Sequence, residues 1–380
     1  MQNSQISHDI FKGSELENTV DKILNDQDLE INDLIYLLKS PEIQRLGLIG
    51  NSLRENLYGK QVSFINNIIL NYTNVCVTYC KFCAFYRPPG HEESYTVSKE
   101  EIIERIVFAK KNYDIKQVLF QGGHNPKLNI EYFEDIFNTI RLKCPDVAIH
   151  GLSASEIDMI ARVDKSSHRE VLERLHIAGL ESLPGAGAEI LVDEVKEIIS
   201  PLKISSQTWL EIMETAHKIG IKSSATMMYG TVETIEQRAR HLLKIAELQK
   251  RTRGFMAFIP WSFEPNKTEI QEIGTVQYAM GGFELLKMIS VSRIVFNGLI
   301  DHLQSSWLTN GIGMAQLAIF HGSDDFGGTL IGEEVVSATG ARSTELLAKN
   351  IINAIKSMGF VPVERNNNYD LLRTFYKFLV

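Results

Sequence analysis

Hydrophobic positions along the chain alternate between two patterns. Short apolar runs, which favour buried strands, are separated by longer stretches with apolar residues at 3.6-residue spacing, which favour amphipathic helices. This alternation is typical of parallel strand–helix units. Strands are predicted at 68–72, 117–120, 147–152, 180–183, 223–229, 255–261, either 293–296 or 301–307, and 327–331.

The helical pattern also covers both ends of the chain. Residues 16–57 precede the first predicted strand, and residues 344–358 and 369–379 follow the last one. No Pro/Ser-rich linker, low-complexity tract or internal repeat divides the sequence. We therefore expect an α/β fold: a TIM-type (β/α) barrel of six to eight parallel strands at 61–340, with an N-terminal helical extension at 1–60 and a C-terminal helical cap at 341–380.

Charge and hydropathy narrow the function classes. Lys and Arg number 39 against 47 Asp and Glu, a net charge of −8, so no basic field attracts nucleic acid or anionic membrane. The longest purely apolar stretch, 255–261, is shorter than the roughly 20 residues that cross a bilayer. Residues 1–19 are polar and lack the apolar region of a signal peptide. We expect a cytoplasmic protein that binds a small-molecule substrate and interacts with neither nucleic acid nor membrane.

Three of the four cysteines are clustered. Cys76, Cys80 and Cys83 follow the first predicted strand, and Cys144 lies far from them in sequence. Thiolates are soft ligands that select iron–sulfur clusters or zinc. Three thiolates are one short of a closed zinc or ferredoxin site. A four-iron cluster held by three thiolates therefore leaves one iron open to a substrate or cofactor.

Two alternatives remain open for these cysteines. In one, His91 or Cys144 completes a structural zinc site. In the other, the three thiols are buried without binding a metal. Cys144 itself is interpreted as an ordinary buried residue, because free Cys is among the most buried residue types.

Other polar and glycine-rich segments follow the predicted strands, at the barrel end where catalytic groups collect. They are Gln121-Gly122-Gly123 after the second strand, Ser153 to Glu156 after the third, and Glu189 after the fourth.

Six segments together resemble the radical S-adenosylmethionine (SAM) superfamily. They are Asn71-Tyr-Thr-Asn-Val-Cys76, Cys80-Lys-Phe-Cys83-Ala-Phe-Tyr-Arg87, Phe120-Gln-Gly-Gly123, Leu183-Pro-Gly-Ala-Gly-Ala-Glu-Ile190, Ala225-Thr-Met-Met-Tyr-Gly230 and Gly254-Phe-Met-Ala-Phe-Ile-Pro-Trp261. The set is most similar to the menaquinone-pathway and deazaflavin-pathway members. Within it, Phe-Tyr-Arg after the cysteines and Phe-Ile-Pro-Trp most resemble the branch that cyclises dehypoxanthine futalosine in menaquinone biosynthesis.

The resemblance implies a ligand set and a chemistry. Cys76, Cys80 and Cys83 would bind a 4Fe–4S cluster, and its open iron would bind SAM. An electron from a low-potential donor such as ferredoxin or flavodoxin would cleave SAM to a 5′-deoxyadenosyl radical, which would take a hydrogen from the substrate ribose. The sibling branches, which form aminofutalosine or the deazaflavin precursor FO, remain alternatives. So does a non-catalytic zinc or iron–sulfur protein.

The resemblance also implies roles for cofactor-binding residues. Gln121, Gly122 and Gly123 would lie against the methionine end of SAM. Ser153 and Glu156 would bind its ribose, and Glu189 would face SAM or substrate hydroxyls. Each has a structural alternative: a turn needing positive φ for the glycines, a helix cap for Ser153 and Glu156, and a helix start for Glu189.

Four further residues are candidates around the substrate. Arg87, Tyr229 and Trp261 would supply a cation and an aromatic wall, with core packing as the alternative for Trp261. His124 is an acid–base candidate. The chain departs from the family pattern at 67–69, at Gly332 and at 364–369, and we expect these positions to border the substrate.

Overall fold

Seven parallel strands form the main sheet in the order β2-β3-β4-β5-β6-β7-β8. The computed structural model describes residue 13 and residues 16–25, 27–341 and 346–376. The strands are β1 Gln61–Ile65, β2 Asn67–Asn71, β3 Gln117–Gln121, β4 Ala148–Gly151, β5 Leu180–Leu183, β6 Lys222–Tyr229, β7 Phe255–Ser262, β8 His302–Leu303, β9 Asp325–Gly328, β10 Val361–Arg365 and β11 Leu371–Thr374.

Helices cover the outer face of this sheet and extend its two ends. They are α1 Glu17–Leu24, α2 Ile31–Lys39, α3 Ile43–Tyr58, α4 Lys99–Tyr113, α5 Ile130–Lys143, α6 Ala154–Asp164, α7 His168–Ala178, α8 Asp193–Ile199, α9 Ser206–Lys218, α10 Ile235–Thr252, α11 Glu269–Glu272, α12 Gly282–Val295, α13 Trp307–Ile319 and α14 Ala348–Ser357. In the N-terminal extension, α3 packs on α12 and α2 packs on α10.

Burial and capping explain why these elements form. Strand β2, Asn-Ile-Ile-Leu-Asn, is buried along its whole length, as expected for a parallel strand covered on both faces. Several helices begin at a side-chain cap: Ser98, Ser153 and Thr234 each accept a hydrogen bond from the backbone N–H three residues on. These caps set where the chain turns from loop into helix at the rim of the barrel.

Strand β9 and the residues after it close the barrel. A second sheet has the order β11-β10-β1-β9, in which β1 is parallel to both β9 and β10. Single bridges join Gln304 to Asp325 and Ile68 to Ile331, so the segment from β9 onward links the two edges of the seven-stranded sheet. The predicted parallel α/β barrel is confirmed.

Most predicted strands lie within a few residues of the observed ones, and the open choice at the seventh is resolved. Strand β8 falls within 301–307, and the alternative at 293–296 is wrong because Arg293 lies in α12. A run of apolar residues at the end of a buried helix resembles a short strand in sequence. Strand β1, which directly precedes β2, was not predicted.

The C-terminal segment differs most from the prediction. Helix α14 confirms the helix predicted at 344–358 over the described residues, but the helix predicted at 369–379 is wrong over 369–376, where β11 pairs antiparallel with β10. Strand β10 pairs parallel with β1 from Val361 to Glu364, and its Val363 is fully buried. Residues 377–379, like residues 1–12 of the predicted extension, lie outside the described residues. The predicted helical cap is therefore a helix followed by a hairpin.

Over the described ranges, no helix combines the length and the apolar character needed to cross a membrane.

A buried ion pair fixes the C-terminal hairpin beneath the barrel. The Arg365 guanidinium donates to both carboxylate oxygens of Asp325, at 2.5 and 3.1 Å, and both side chains are buried. The Ser63 hydroxyl also donates to Asp325, at 2.5 Å. These contacts join β10, β9 and β1 at one point.

We expect Arg365→Ala to lower the free energy of unfolding by about 3–5 kcal/mol, because it leaves the Asp325 carboxylate buried without its cation. The control is Arg373→Ala on β11, whose exposed side chain makes a cation–π contact with Phe375 and which we expect to cost less than about 1 kcal/mol. Denaturant unfolding measures both. Equal effects of the two substitutions would contradict the role given to the buried pair.

Candidate active site

A cavity of about 380 Å³ lies inside the barrel at the carboxyl ends of the strands. It brings together most of the predicted site residues. Those lining it are Cys76, Cys80, Cys83, Gln121, Gly122, Gly123, His124, Ser153, Glu156, Glu189 and Trp261. Arg87 and Tyr229 are not among the lining residues.

The loop that carries the three cysteines has little regular structure and is held by backbone hydrogen bonds. The Cys76 N–H donates to the Arg87 carbonyl at 2.9 Å, and the Cys83 N–H donates to the Cys80 carbonyl at 3.0 Å. Neighbouring elements hold it from outside: the Lys81 N–H donates to the Ile199 carbonyl at 2.9 Å. The thiol positions are therefore set by the main chain.

The cysteines occupy a buried environment suited to a cationic group. Burial raises the pKa of Cys80 to about 12 and also raises the pKa of Cys83. The Thr78 hydroxyl lies between two of the sulfurs, 3.0 Å from Cys76 Sγ and 3.6 Å from Cys80 Sγ. Thiolates here need positive charge that iron supplies, so the three side chains around one cavity fit a 4Fe–4S cluster with three protein ligands.

The structure does not favour the zinc alternative. His91 is exposed, and its Nδ1 atom accepts the Glu93 N–H at 3.1 Å. Cys144 is buried at the C-terminal end of α5, within the hydrophobic core. Neither residue lines the cavity. Within the described ranges, no group of three or more His, Cys, Asp or Glu side chains is arranged to hold a single metal ion.

Gly122 and Gly123 are required by close packing. Neither has positive φ, so the alternative of a strained turn is wrong. A Cβ atom on Gly123 would lie 2.2 Å from the Val75 carbonyl oxygen, and one on Gly122 would lie 2.8 Å from the Tyr72 ring. The Gly123 N–H donates to the Thr73 carbonyl at 2.8 Å. The glycines thus let the end of β3 touch the start of the cysteine loop.

Ser153 and Glu156 form the capping box of α6. The Ser153 hydroxyl accepts the Glu156 N–H at 3.3 Å, and the Ser153 N–H donates to Glu156 at 2.7 Å. The other Glu156 oxygen accepts the Tyr72 hydroxyl at 2.8 Å and the Gly122 N–H at 2.9 Å. The helix-cap alternative is therefore observed, and Glu156 also positions the glycine pair. Contact of these two residues with SAM stays a prediction.

Glu189 is a buried carboxylate in the cavity wall, with positive φ. Its oxygens accept from Lys196 at 3.1 Å and from Lys203 at 2.9 Å. Burial alone would raise the pKa of Glu189, but the two ammonium groups outweigh burial and hold it at about 2. Sequence reasoning missed Lys203, which also lines the cavity, because a lysine between two helices usually indicates a solvated loop.

Arg87 and Tyr229 are placed away from the predicted substrate contacts. Arg87 pairs with Glu93 and donates to the carbonyls of Ala84 and Tyr86, so it braces the cysteine loop. Tyr229 is fully buried, with the Arg238 guanidinium over its ring. Contact of either residue with the substrate stays a prediction.

Trp261 and His124 do reach the cavity. Trp261 is partly buried and lies near the end of β7. Burial lowers the pKa of His124 to about 3, so its ring is neutral at physiological pH. Its role as an acid–base group stays a prediction.

Positions that depart from the family pattern lie along one side of this cavity and beneath it. Asn67 is buried and lines a smaller space of about 80 Å³ that adjoins the cavity. Gly332 has positive φ and a Cβ there would lie 3.1 Å from the Ile69 carbonyl. The adjacent Glu333 lines the cavity, and its carboxylate accepts the Val336 and Ser337 N–H groups at 2.6 and 3.0 Å.

We expect Gly123→Ala to displace the cysteine loop and to lower both the iron content after anaerobic reconstitution and the free energy of unfolding, the latter by about 3 kcal/mol. Gly313→Ala on the exposed side of α13 is the control, because a Cβ there meets nothing within 4 Å. Iron analysis and denaturant unfolding compare the two. Full iron content in Gly123→Ala would refute the packing argument.

Comparison with known proteins places the chain among enzymes of one superfamily. Residues 70–245 match the model described as "Radical SAM superfamily", and residues 252–377 match "CofH/MqnC C-terminal region". Methylornithine synthase has a similar structure, with a TM-score of 0.71 at 18% identity over 90% of this chain and 96% of that one. The maturase HydG from Carboxydothermus hydrogenoformans gives 0.69 at 15% identity over 97% and 83%. At these low identities, the two structural similarities show that the fold is shared and nothing more.

Curated relatives match over most of their length. A cyclic dehypoxanthine futalosine synthase from Halalkalibacterium halodurans is 36% identical over 363 residues, 95% of this chain and 96% of the relative. One from Streptomyces coelicolor is 39% identical over 346 residues, 90% and 84%. A 5-amino-6-(D-ribitylamino)uracil–L-tyrosine 4-hydroxyphenyl transferase from Methanosarcina barkeri is 37% identical over 340 residues, 89% and 87%. The chain therefore belongs to the radical SAM superfamily, in the group that carries the CofH/MqnC C-terminal region.

Proposed function

We propose that this enzyme cyclises dehypoxanthine futalosine to cyclic dehypoxanthine futalosine in menaquinone biosynthesis. The observation that carries the proposal is the 36% identity to a synthase of that name over 95% of this chain and 96% of the relative. The match leaves only about a twentieth of this chain uncovered. The predicted cyclase motifs after Cys83 and in β7 support the same assignment.

The cofactors belong to this proposal. Cys76, Cys80 and Cys83 would hold a 4Fe–4S cluster, and Gln121, Gly122 and Gly123 would lie against SAM. When bound, these groups would supply the electron and the carbon radical needed to remove a substrate hydrogen. The electron would come from a low-potential protein such as ferredoxin or flavodoxin.

The protein's own residues exclude water and fix positions. The cavity lies inside the barrel, so the barrel wall would shield a carbon radical from bulk water on the sides it covers and would hold donor and acceptor in contact. Lys196 and Lys203 both pair with Glu189, so these three side chains together carry one formal positive charge at the cavity wall. Trp261 supplies an aromatic face for the benzoate ring.

A second candidate function is the coupling of a tyrosine-derived group to 5-amino-6-(D-ribitylamino)uracil. The 37% identity to the Methanosarcina barkeri transferase over 340 residues favours it, because this value lies between those of the two synthases. Percentage identity alone therefore does not separate the two substrates. The match to the Halalkalibacterium halodurans synthase extends over 95% of this chain, against 89% for the transferase, and this longer match favours the cyclase. Turnover assays distinguish the two substrates directly.

The assignment is tested with protein reconstituted anaerobically with iron and sulfide, then supplied with dithionite and SAM. We expect 5′-deoxyadenosine and a cyclised product with dehypoxanthine futalosine, and only background 5′-deoxyadenosine with tyrosine plus 5-amino-6-(D-ribitylamino)uracil or with aminofutalosine precursors. Mass spectrometry identifies the products. Turnover of the tyrosine pair alone would transfer the assignment to the second candidate.

Two cysteine variants test the ligand set. We expect Cys83→Ala to lose the iron and the SAM cleavage together, because it removes one of three thiolates. Cys144→Ala is the matched control: its side chain packs in the core, so we expect full iron content and activity and a stability loss of about 1 kcal/mol. Iron loss in Cys144→Ala, or iron retained in Cys83→Ala, would contradict the assignment of ligands.

A further inference from the structure

A second, smaller space of about 80 Å³ adjoins the cavity above the C-terminal hairpin, and we call it the deep end of the site. His150 on β4 and Gln304 after β8 line both parts, whereas Arg365, Asn367 and Tyr369 line only the deep end. The floor of the cavity is therefore made by the turn between β10 and β11.

Hydrogen bonds and ring stacking hold that turn in a conformation in which Asn367 and Tyr369 line the deep end. The Asn366 side-chain oxygen accepts the N–H groups of Asn368 and Asp370, both at 2.9 Å. Tyr369 has a φ of +67°, and its ring stacks on His302 with centroids 3.9 Å apart. A non-glycine residue in this conformation is held there by its surroundings.

A buried chain of hydrogen bonds runs from this floor to His150, and one backbone group sets its direction. The Leu330 N–H donates to Asn67 Oδ1 at 2.9 Å, so the Asn67 amide nitrogen is the group that faces Gln117 Oε1, at 3.1 Å. A backbone N–H has no acceptor role. The orientation of the Asn67 amide, and with it that of Gln117, is thereby fixed.

The hydrogen bonds keep the same donor-to-acceptor direction across the barrel. The Gln117 amide nitrogen donates to Asn367 Oδ1 at 2.8 Å, and the Ser182 hydroxyl donates to the same oxygen at 3.1 Å. Because Ser182 has a single proton, its oxygen accepts from its other neighbour, His150 Nδ1, at 2.7 Å. His150 is therefore the Nδ1–H tautomer.

The other ring nitrogen of His150 is left as an acceptor. The ring also bonds to the Ser182 backbone, which fits an N–H at Nδ1, and the hydrogen bond of known geometry in the described ranges is made by Nδ1; the side chain lines the cavity. Burial lowers the pKa of His150 to about 3, so the ring stays neutral and the Nε2 lone pair stays available. A buried acceptor of this kind requires a donor when a ligand excludes water.

Cations at the deep end are already paired. Arg365 is the cation among the described residues lining it, and both oxygens of Asp325 neutralise it. A carboxylate placed there would find no free positive charge, whereas an alcohol would find the His150 acceptor. The chemistry of this end suits a hydroxyl group.

We infer that His150 Nε2 accepts a hydrogen bond from a ribose hydroxyl of the substrate, so that the sugar end of the molecule lies deepest in the barrel. This inference rests on the proposed cyclase function. The Asn367 turn acts as a positioning element that holds His150 in the accepting tautomer. The benzoate end then lies toward Trp261.

The test uses one variant at His150 and one at Asn367. Each is reconstituted and compared with the wild-type enzyme in assays with dehypoxanthine futalosine. His150→Asn keeps an N–H for Ser182 and removes the acceptor at the Nε2 position, which the shorter amide does not reach. We expect KM to rise roughly 10- to 100-fold, the effect of leaving one buried hydroxyl unpaired, with iron content unchanged. A 2′- or 3′-deoxyribose analogue should lose a similar factor with the wild-type enzyme and lose nothing further with His150→Asn.

Asn367→Leu tests the positioning role. It frees the Ser182 proton to donate to His150, which turns Nε2 into an N–H donor. In protein labelled with ¹⁵N-histidine, the imidazole nitrogen shifts should change from the Nδ1–H to the Nε2–H tautomer, and KM should rise as in His150→Asn. Asn368→Ala, an exposed neighbour in the same turn, is the control and should change neither.

The outcomes separate the two proposals. A KM within twofold of the wild-type value in His150→Asn, or further loss with both deoxy analogues in that variant, would overturn the inference and leave the cyclase assignment standing. A wild-type enzyme that cleaves SAM but does not convert dehypoxanthine futalosine would overturn both.

Discussion

The contact between the end of β3 and the start of the cysteine loop is the constraint on which the site depends. Two backbone hydrogen bonds join these segments, from the Gly123 N–H to the Thr73 carbonyl and from the Val77 N–H to the His124 carbonyl. No Cβ fits at Gly123, so the two main chains touch directly. A loop without helix or strand is thereby given a fixed place, and the three thiols on it face one cavity.

A second constraint is that each buried carboxylate inside the barrel is compensated, by cations at Glu189 and Asp325 and by N–H donors at Glu156 and Glu333. Glu189 is matched by Lys196 and Lys203 near the cysteines, and Asp325 is matched by Arg365 at the floor. An unpaired ion in this environment would cost several kcal/mol. Pairing leaves the space between them lined by neutral groups such as Trp261 and His150, which suits chemistry that must exclude water.

Sequence reasoning identified those parts of the site that are local in the chain. The cysteine spacing, the glycine pair and the Ser153–Glu156 box are short motifs, and the strand order follows from the alternation of elements. The reason for the glycines was not accessible, since a close approach of two loops and a turn with positive φ have the same sequence signal. The structure distinguishes them by the φ values and by the missing space for a Cβ.

Residues brought in by long-range contacts were missed for a different reason. Lys203 is charged and lies between two helices, so nothing in its neighbourhood predicts burial against Glu189. The hairpin of β10 and β11 adds to the free edge of β1. Strand β1 directly precedes β2 in sequence and was not predicted. His150 acquires its tautomer from Asn367, which is more than two hundred residues away in sequence.

The central claim is that three thiolates hold a 4Fe–4S cluster whose remaining iron is open to SAM. Electron paramagnetic resonance of the reconstituted, dithionite-reduced protein tests it most directly, recorded with and without SAM and with methionine plus 5′-deoxyadenosine as the control. The account predicts a reduced-cluster signal whose g values change when SAM is added. A cluster signal that SAM leaves unchanged would mean that the fourth iron is already ligated, and would contradict the account.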